Sequence, residues 1–191
     1  MLPLCADFVH VSNFVERHSR YEYGVTTHAF CAAIKLLLRE YTMLVAQLET
    51  LASRGGLTLQ MLWFYVQPAM RTMEALANIS QKAKKLAGGA LLNMIQYAAM
   101  GGSGDQKAKD TYTFLLHKAA VPILEMLQRW IYNGDLDDPY QEFMVQEEAS
   151  LQKENLKDDF NAGYVCHVCC FVCDTVNKSL TITLNACCFL T

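Results

Sequence analysis

Over the first two-thirds of the chain apolar residues recur at steps of three and four, the spacing that gathers side chains on one face of an α-helix. Leu4, Phe8, Val11, Phe14 and Val15 mark a first amphipathic helix, which should stop between Arg20 and Gly24. From Val25 to Ser53 the set Phe30, Ala33, Leu37, Tyr41, Leu44, Leu48 and Leu51 predicts a longer helix, ended by Gly55-Gly56, where positive φ is easily adopted. Thr58 is placed to cap a third, whose stripe reads Leu59, Leu62, Trp63, Val66, Met70, Met73 and Leu76. Pro68 lies inside that stripe. It removes a backbone donor and crowds the carbonyl four residues earlier, so a kink is expected near Phe64 to Gln67. A shorter helix over about Ala90 to Met100 is closed by the glycine-rich loop 101–104. The last helix, from near Asp105 to Asn133, aligns Tyr112, Leu115, Leu116, Ala119, Ile123, Leu127, Trp130 and Ile131, with Pro122 bending it. The predicted fold is all-α: antiparallel helical bundles with two Pro-kinked helices, followed by an irregular Cys-rich tail.

Gly134 is placed to terminate the last helix, and Asp135 to Tyr140 reads as a turn because Asp138 precedes Pro139 and is steered out of the α region. Glu142 to Val145 is expected to be extended. Residues 146–160 are charged and read as a helix with few apolar anchors, Leu151 and Leu156. The stretch from Ala162 to Thr191 is different again, with one acid, one base, many β-branched residues and no helical period. It reads as an aberrant or alternative tail, such as a different terminal exon, set apart from a domain spanning 1–161. Its β-propensity and low charge make it aggregation-prone where exposed.

With 191 residues the chain can form one ordinary domain or part of a helical array. Hydrophobic residues make up 52% and charged residues 18%, an apolar excess that implies surface in need of a partner. The net charge of −3 hides an asymmetry: residues 1–134 carry 13 basic and 9 acidic groups (+4), and residues 135–160 carry 2 and 9 (−7). Only Lys82, Lys84 and Lys85 cluster basic charge, and they read as a solvated helix end, so no nucleic-acid partner is expected. No charged n-region and apolar core open the chain, so an intracellular protein is expected. The ten-residue apolar run Tyr164 to Cys173 is too short to span a membrane.

Six of the eight cysteines fall in the final 26 residues. Cys166-x-x-Cys169 and Cys170-x-x-Cys173 have the spacing at which two thiolates occupy neighbouring tetrahedral positions, making these four candidate zinc ligands. The two pairs abut, however, and Cys187-Cys188 has no spacer, whereas a stable site needs separated pairs. The rival reading is therefore a small metal-binding regulatory protein using this tail. Catalysis finds less support. The histidines His10, His18, His28, His117 and His167 are scattered, and paired acids occur only at Asp137-Asp138, Glu147-Glu148 and Asp158-Asp159. The spacings of a phosphate loop, a zinc protease helix and a nucleophile elbow do not occur. No catalytic residues and no cofactor are expected.

The run Arg129-Trp130-Ile131-Tyr132-Asn133-Gly134-Asp135-Leu136-Asp137-Asp138-Pro139-Tyr140-Gln141-Glu142-Phe143 resembles the R-W-[IV]-Y-x-G-x-[LI]-x-D-P-Y-x-E-F signature of γ-tubulin complex components, within their N-terminal grip motif. Gly24-Val25-Thr26-Thr27-His28-Ala29-Phe30-Cys31-Ala32-Ala33 looks like the family's G-L-V-N-H-A-x-x-A-A helix start. Leu57 to Pro68 looks like its L-S-L-Q-x-L-W-F-x-x-Q-P segment. Both favour the component 2 branch, and the opening Leu2-Pro3-Leu4-Cys5 looks most like its plant versions. The resemblance covers residues 2–161. It implies stacked helical bundles, a non-catalytic scaffold supporting microtubule nucleation, and lateral contacts with other complex components. It also implies residence in the cytoplasm, at the cytoskeleton and the microtubule organising centre. γ-Tubulin is the partner of the family's C-terminal half, which has no counterpart here. Trp130, Ile131, Tyr132, Gly134, Asp138, Pro139, Tyr140, Glu142 and Phe143 are expected to be architectural: Trp130 and Ile131 buried against the bundle, Gly134 freeing the backbone, Pro139 aiming Tyr140 and Phe143 back to pack.

Overall fold

A computed structural model of the chain describes residues 2–101, 105–147 and 164–166. Five α-helices dominate: α1 (Leu2–His18), α2 (Val25–Ser53), α3 (Leu59–Ala83), α4 (Gly88–Gly101) and α5 (Gln106–Asn133). A 3₁₀ turn, Tyr21–Tyr23, joins α1 to α2. Two three-residue strands, β1 (Val145–Glu147) and β2 (Tyr164–Cys166), pair antiparallel in the register Val145↔Cys166.

The helix ends follow from local chemistry. The Thr58 hydroxyl accepts from the Met61 N–H at the start of α3, and the Asp105 carboxylate accepts from the Lys107 and Ala108 N–H groups at the start of α5. Both satisfy donors that have no partner inside the helix. α5 ends at Gly134 in the left-handed conformation, φ 69°, with its N–H on the Trp130 carbonyl. A Cβ there would meet nothing within 4 Å, so the backbone conformation alone explains glycine at this position.

Packing pairs make the helices antiparallel. Phe14 meets Phe30 and Phe8 meets Tyr41, so moving back along α1 means moving forward along α2. α5 packs chiefly on α2 and α4, and α1 on α3. Val11, Phe30, Ile34, Leu76, Leu91, Leu92, Ile95 and Leu115 fill the centre. α2, at 29 residues, is about 43 Å long and outruns the 17-residue α1 of about 25 Å. Beyond Glu40 nearly all of α2 is exposed or half-exposed, Leu48 being the buried exception.

Pro68 lies inside α3 and Pro122 inside α5, and hydrogen-bonded helix runs on both sides of each. Other expectations are corrected. The stripe drawn along α3 is not buried at its start: Leu59 is 79% exposed, and Trp63 is also exposed. Leu51 of α2 is exposed too. α4 begins at Gly88, two residues earlier than predicted, and includes Gly101. Gln146 and Glu147 lie in β1, where a helix was expected, since β2 supplies a pairing edge that sequence periodicity does not register. Residues 102–104, 148–163 and 167–191 lie outside the described residues. They hold most of the expected loop, most of the charged helix and nearly all of the Cys-rich tail. No described helix is long and apolar enough to cross a membrane.

Candidate functional site: the carboxylate-locked corner

The chain leaves α5 at Gly134 and turns through Asp138-Pro139-Tyr140 before entering β1. The turn is closed by Asp138, whose Oδ2 accepts from the Phe143 N–H at 2.6 Å and whose carbonyl accepts from the Gln141 N–H at 3.4 Å. Gln141 takes φ 55°, the left-handed region a non-glycine residue seldom occupies. That reversal sends Glu142 and Phe143 inward. Phe143 is buried and meets the half-buried Trp130 edge to face, with ring centroids 6.1 Å apart.

Glu142 is 8% exposed and is the sole buried charged residue among the described residues. Its Oε2 accepts from the Thr26 backbone N–H at 3.0 Å and from the Thr26 hydroxyl at 3.2 Å. Its Oε1 accepts from the Gly88 N–H at 3.1 Å. Thr26 sits in the first turn of α2 and Gly88 opens α4. One carboxylate thus satisfies orphan donors of two helices and rests at the positive end of both dipoles. These charge-assisted bonds offset the desolvation that burial of a carboxylate costs.

Two glycines make the seat. A Cβ on Gly24, φ 96°, would overlap the Glu142 carboxylate, and one on Gly88, φ 54°, would lie 3.2 Å from the Glu142 Cα. Both positions require glycine for backbone conformation and for space. Beside the seat lies an open cavity of about 370 Å³ bordered by His18, Thr27, Lys84, Lys85 and Tyr140. The Thr27 hydroxyl is buried there without a hydrogen-bond partner.

The signature residues divide into two sets. Trp130, Gly134, Asp138, Pro139, Glu142 and Phe143 build the corner. Ile131, expected in the core, is 42% exposed; Tyr140, expected to return and pack, is 40% exposed; Tyr132 is 71% exposed. The reason is helical geometry. Tyr132 lies on the side of α5 opposite Leu127 and Trp130, while Ile131, four residues after Leu127, stands at the edge of the buried face in the last turn. Sequence reading placed Glu142 in the corner but missed its two helix partners, 116 and 54 residues away. The signal present was an acid next to a buried aromatic and two glycines each opening a helix.

Among the described residues no group of three or more His, Cys, Asp or Glu is placed to hold a metal ion. Cys166 lies in β2, and Cys169, Cys170 and Cys173 lie outside the described residues. Three histidines make separate contacts: His18 Nδ1 lies 3.0 Å from the Phe14 carbonyl, His28 stacks on Tyr21, and His10 lies 3.4 Å from the Ser80 hydroxyl.

Residues 1–180 match the family model described as gamma tubulin complex component N-terminal. Gamma-tubulin complex component 2 of Mus musculus is 42% identical over 86% of this chain and 18% of its own length. That of Arabidopsis thaliana is 40% identical over 86% and 24%. Gamma-tubulin complex component 3 of Homo sapiens is 32% identical over 72% and 16%. The chain therefore spans about a fifth of the length of the component 2 relatives.

Proposed function

Because the chain belongs to the γ-tubulin complex component family through its N-terminal domain, we propose that it is a structural, non-catalytic part of a γ-tubulin complex. It assembles side by side with other complex components and so spaces γ-tubulin for microtubule nucleation, in the cytoplasm at a microtubule organising centre or spindle pole. Two relatives whose names place them at the spindle pole body, from Schizosaccharomyces pombe and Dictyostelium discoideum, support that location.

The observation carrying this reading is the corner's division of labour. Glu142, Asp138 and Phe143 fix the backbone, and the fixed backbone holds Tyr132 largely in solvent and leaves Ile131 and Tyr140 partly exposed beside it. Apolar side chains kept in water on a rigid frame are what a protein–protein contact uses, at about 25 cal/mol per Å² once covered. Sibling components carrying the same domain are the occupants of that surface. The test is co-purification of the full chain with other complex components, for the unaltered chain and for Tyr132→Ala with Ile131→Asp. Recovery by the first and loss by the second, with unchanged helical circular dichroism, is expected. Equal recovery by both would remove the corner from the contact.

The division into a bundle ending at residue 161 and a tail from 162 belongs to the same reading. The charge break and the lack of helical period support it. The pairing of β2 with β1 and the family match through residue 180 weigh against a tail wholly foreign to the domain.

A further inference from the structure

Asn133 is the one asparagine of the chain that is followed by glycine; every other precedes a residue with a Cβ. The pair sits where α5 ends. Asn133 is the last helical residue, Gly134 takes φ 69° and ψ 14°, and both are exposed. Among the described residues, a Cβ at Gly134 would meet nothing within 4 Å, so the space beside this peptide unit is open. The Gly134 N–H donates to the Trp130 carbonyl at 3.0 Å and so holds the unit in the helix end.

The covalent chemistry open to such a pair is intramolecular. Asn133 Cγ and the Gly134 nitrogen are linked through Cβ, Cα and the main-chain carbonyl carbon, so a bond between them closes a five-membered ring. The nitrogen gives up its proton and attacks Cγ; the Cγ–Nδ2 bond breaks, and Nδ2 leaves as ammonia after taking up a proton. Water then opens the ring. Attack of water at Cγ gives aspartate, and attack at the former main-chain carbonyl gives isoaspartate, with the backbone rerouted through Cβ. Glycine leaves the nitrogen uncrowded. The helix, however, opposes ring closure: a helical side chain leans towards the N-terminus, which carries Cγ away from the nitrogen that must reach it. Reaction therefore waits for the last turn of α5 to open. Asp138 and Glu142 restrain that opening, because they tether the chain just beyond Gly134 to itself and to α2 and α4.

We propose that Asn133-Gly134 is a deamidation site gated by the corner: the amide survives while the corner is locked and converts to aspartate and isoaspartate when it opens. The conversion runs one way. It places an anion at the C-terminal end of α5, where the helix dipole disfavours it, close in sequence to Asp135 and Asp137. The isoaspartate product also adds one carbon to the main chain between α5 and the Asp138 turn, so the corner no longer closes as before. The inference stands apart from lateral assembly, and its readouts are taken on the chain alone.

The test incubates the full chain at neutral pH beside a free peptide of residues 127–138 and follows Asn133 by peptide mass spectrometry, which reads the amide-to-acid mass gain and separates isoaspartate from aspartate. The free peptide should convert fastest and the unaltered chain slowest but measurably. Glu142→Gln should convert about tenfold faster than the unaltered chain, since weaker tethering raises the open population. Asp138→Ala loosens the same corner from within the turn and should accelerate conversion in the same direction; helical circular dichroism checks that each variant is folded. Asn133→Gln should show no conversion on this timescale. In the converted chain the Phe143 N–H, which donates to Asp138, should lose hydrogen-exchange protection. An unaltered chain that stays intact while the peptide converts would overturn the proposal. So would equal rates in the unaltered chain and both corner variants, or full Phe143 protection after conversion.

Discussion

Glu142 concentrates in one side chain what holds the corner to the bundle. Glu142→Gln keeps the size but turns one oxygen into a donor facing an N–H, so a loss of about 2–3 kcal/mol is expected in chemical unfolding. Gly88→Ala should lose about 1–3 kcal/mol through positive φ and the approach to Glu142. If the two are coupled through one seat, the double variant should lose less than their sum. The opposite case is Gln96, buried in α4 with neither amide atom hydrogen-bonded. Gln96→Leu removes two unsatisfied groups at similar volume and should raise the urea midpoint, by about 1–3 kcal/mol in stability. Cys31 reports on the core by its proton. Burial pushes its thiol from 9.0 up to about 11, with Lys35 pulling the other way. The folded state therefore keeps a proton that the unfolded chain releases above pH 9. This contribution is full below pH 9 and is lost as pH climbs towards 11, with Tyr41 and Tyr112, also raised by burial, adding in the same sense. At pH 8 an alkylating reagent should modify exposed Cys5 and spare Cys31 in the native protein, as peptide mass spectrometry would show.

At the scale of the element, the helices were legible because each pairs a three- or four-residue apolar rhythm with a chemically defined end. Val25 to Ser53 matches α2 at both bounds, and Thr58 caps α3 as its position suggested. Asp105→Ala should cost about 1 kcal/mol by leaving the first turn of α5 without its acceptor, measurable by thermal unfolding. What periodicity could not show was which part of a stripe is covered. Leu59 and Trp63 keep the rhythm of a core face, yet burial depends on what packs against each turn, which periodicity does not register. The strand at 145–147 was hidden for a related reason: pairing is a property of two segments, and one segment carries half of the information. Glu142 likewise is legible as a corner residue of the signature, but its partners are not until the fold brings Thr26 and Gly88 to it.

At the scale of the molecule, the bundle has a locked corner at the C-terminal end of α5 and exposed apolar side chains at the start of α3, both on helices braced by one core. The Arg129 to Phe143 signature maps to the first and the Leu57 to Pro68 segment to the second, but exposure was not legible there, because an exposed Phe64 and a buried one look alike in sequence. Removal of residues 162–191 tests how far the tail belongs to this body: an unchanged unfolding midpoint fits an appended segment, and a lower one shows that β2 supports β1. If the domain sits beside a sibling, as proposed, sedimentation velocity of the full chain mixed with the corresponding domain of another complex component should show a 1:1 complex, weakened when Tyr132→Ala and Ile131→Asp are introduced; two species sedimenting independently at every concentration would rule out that side-by-side contact.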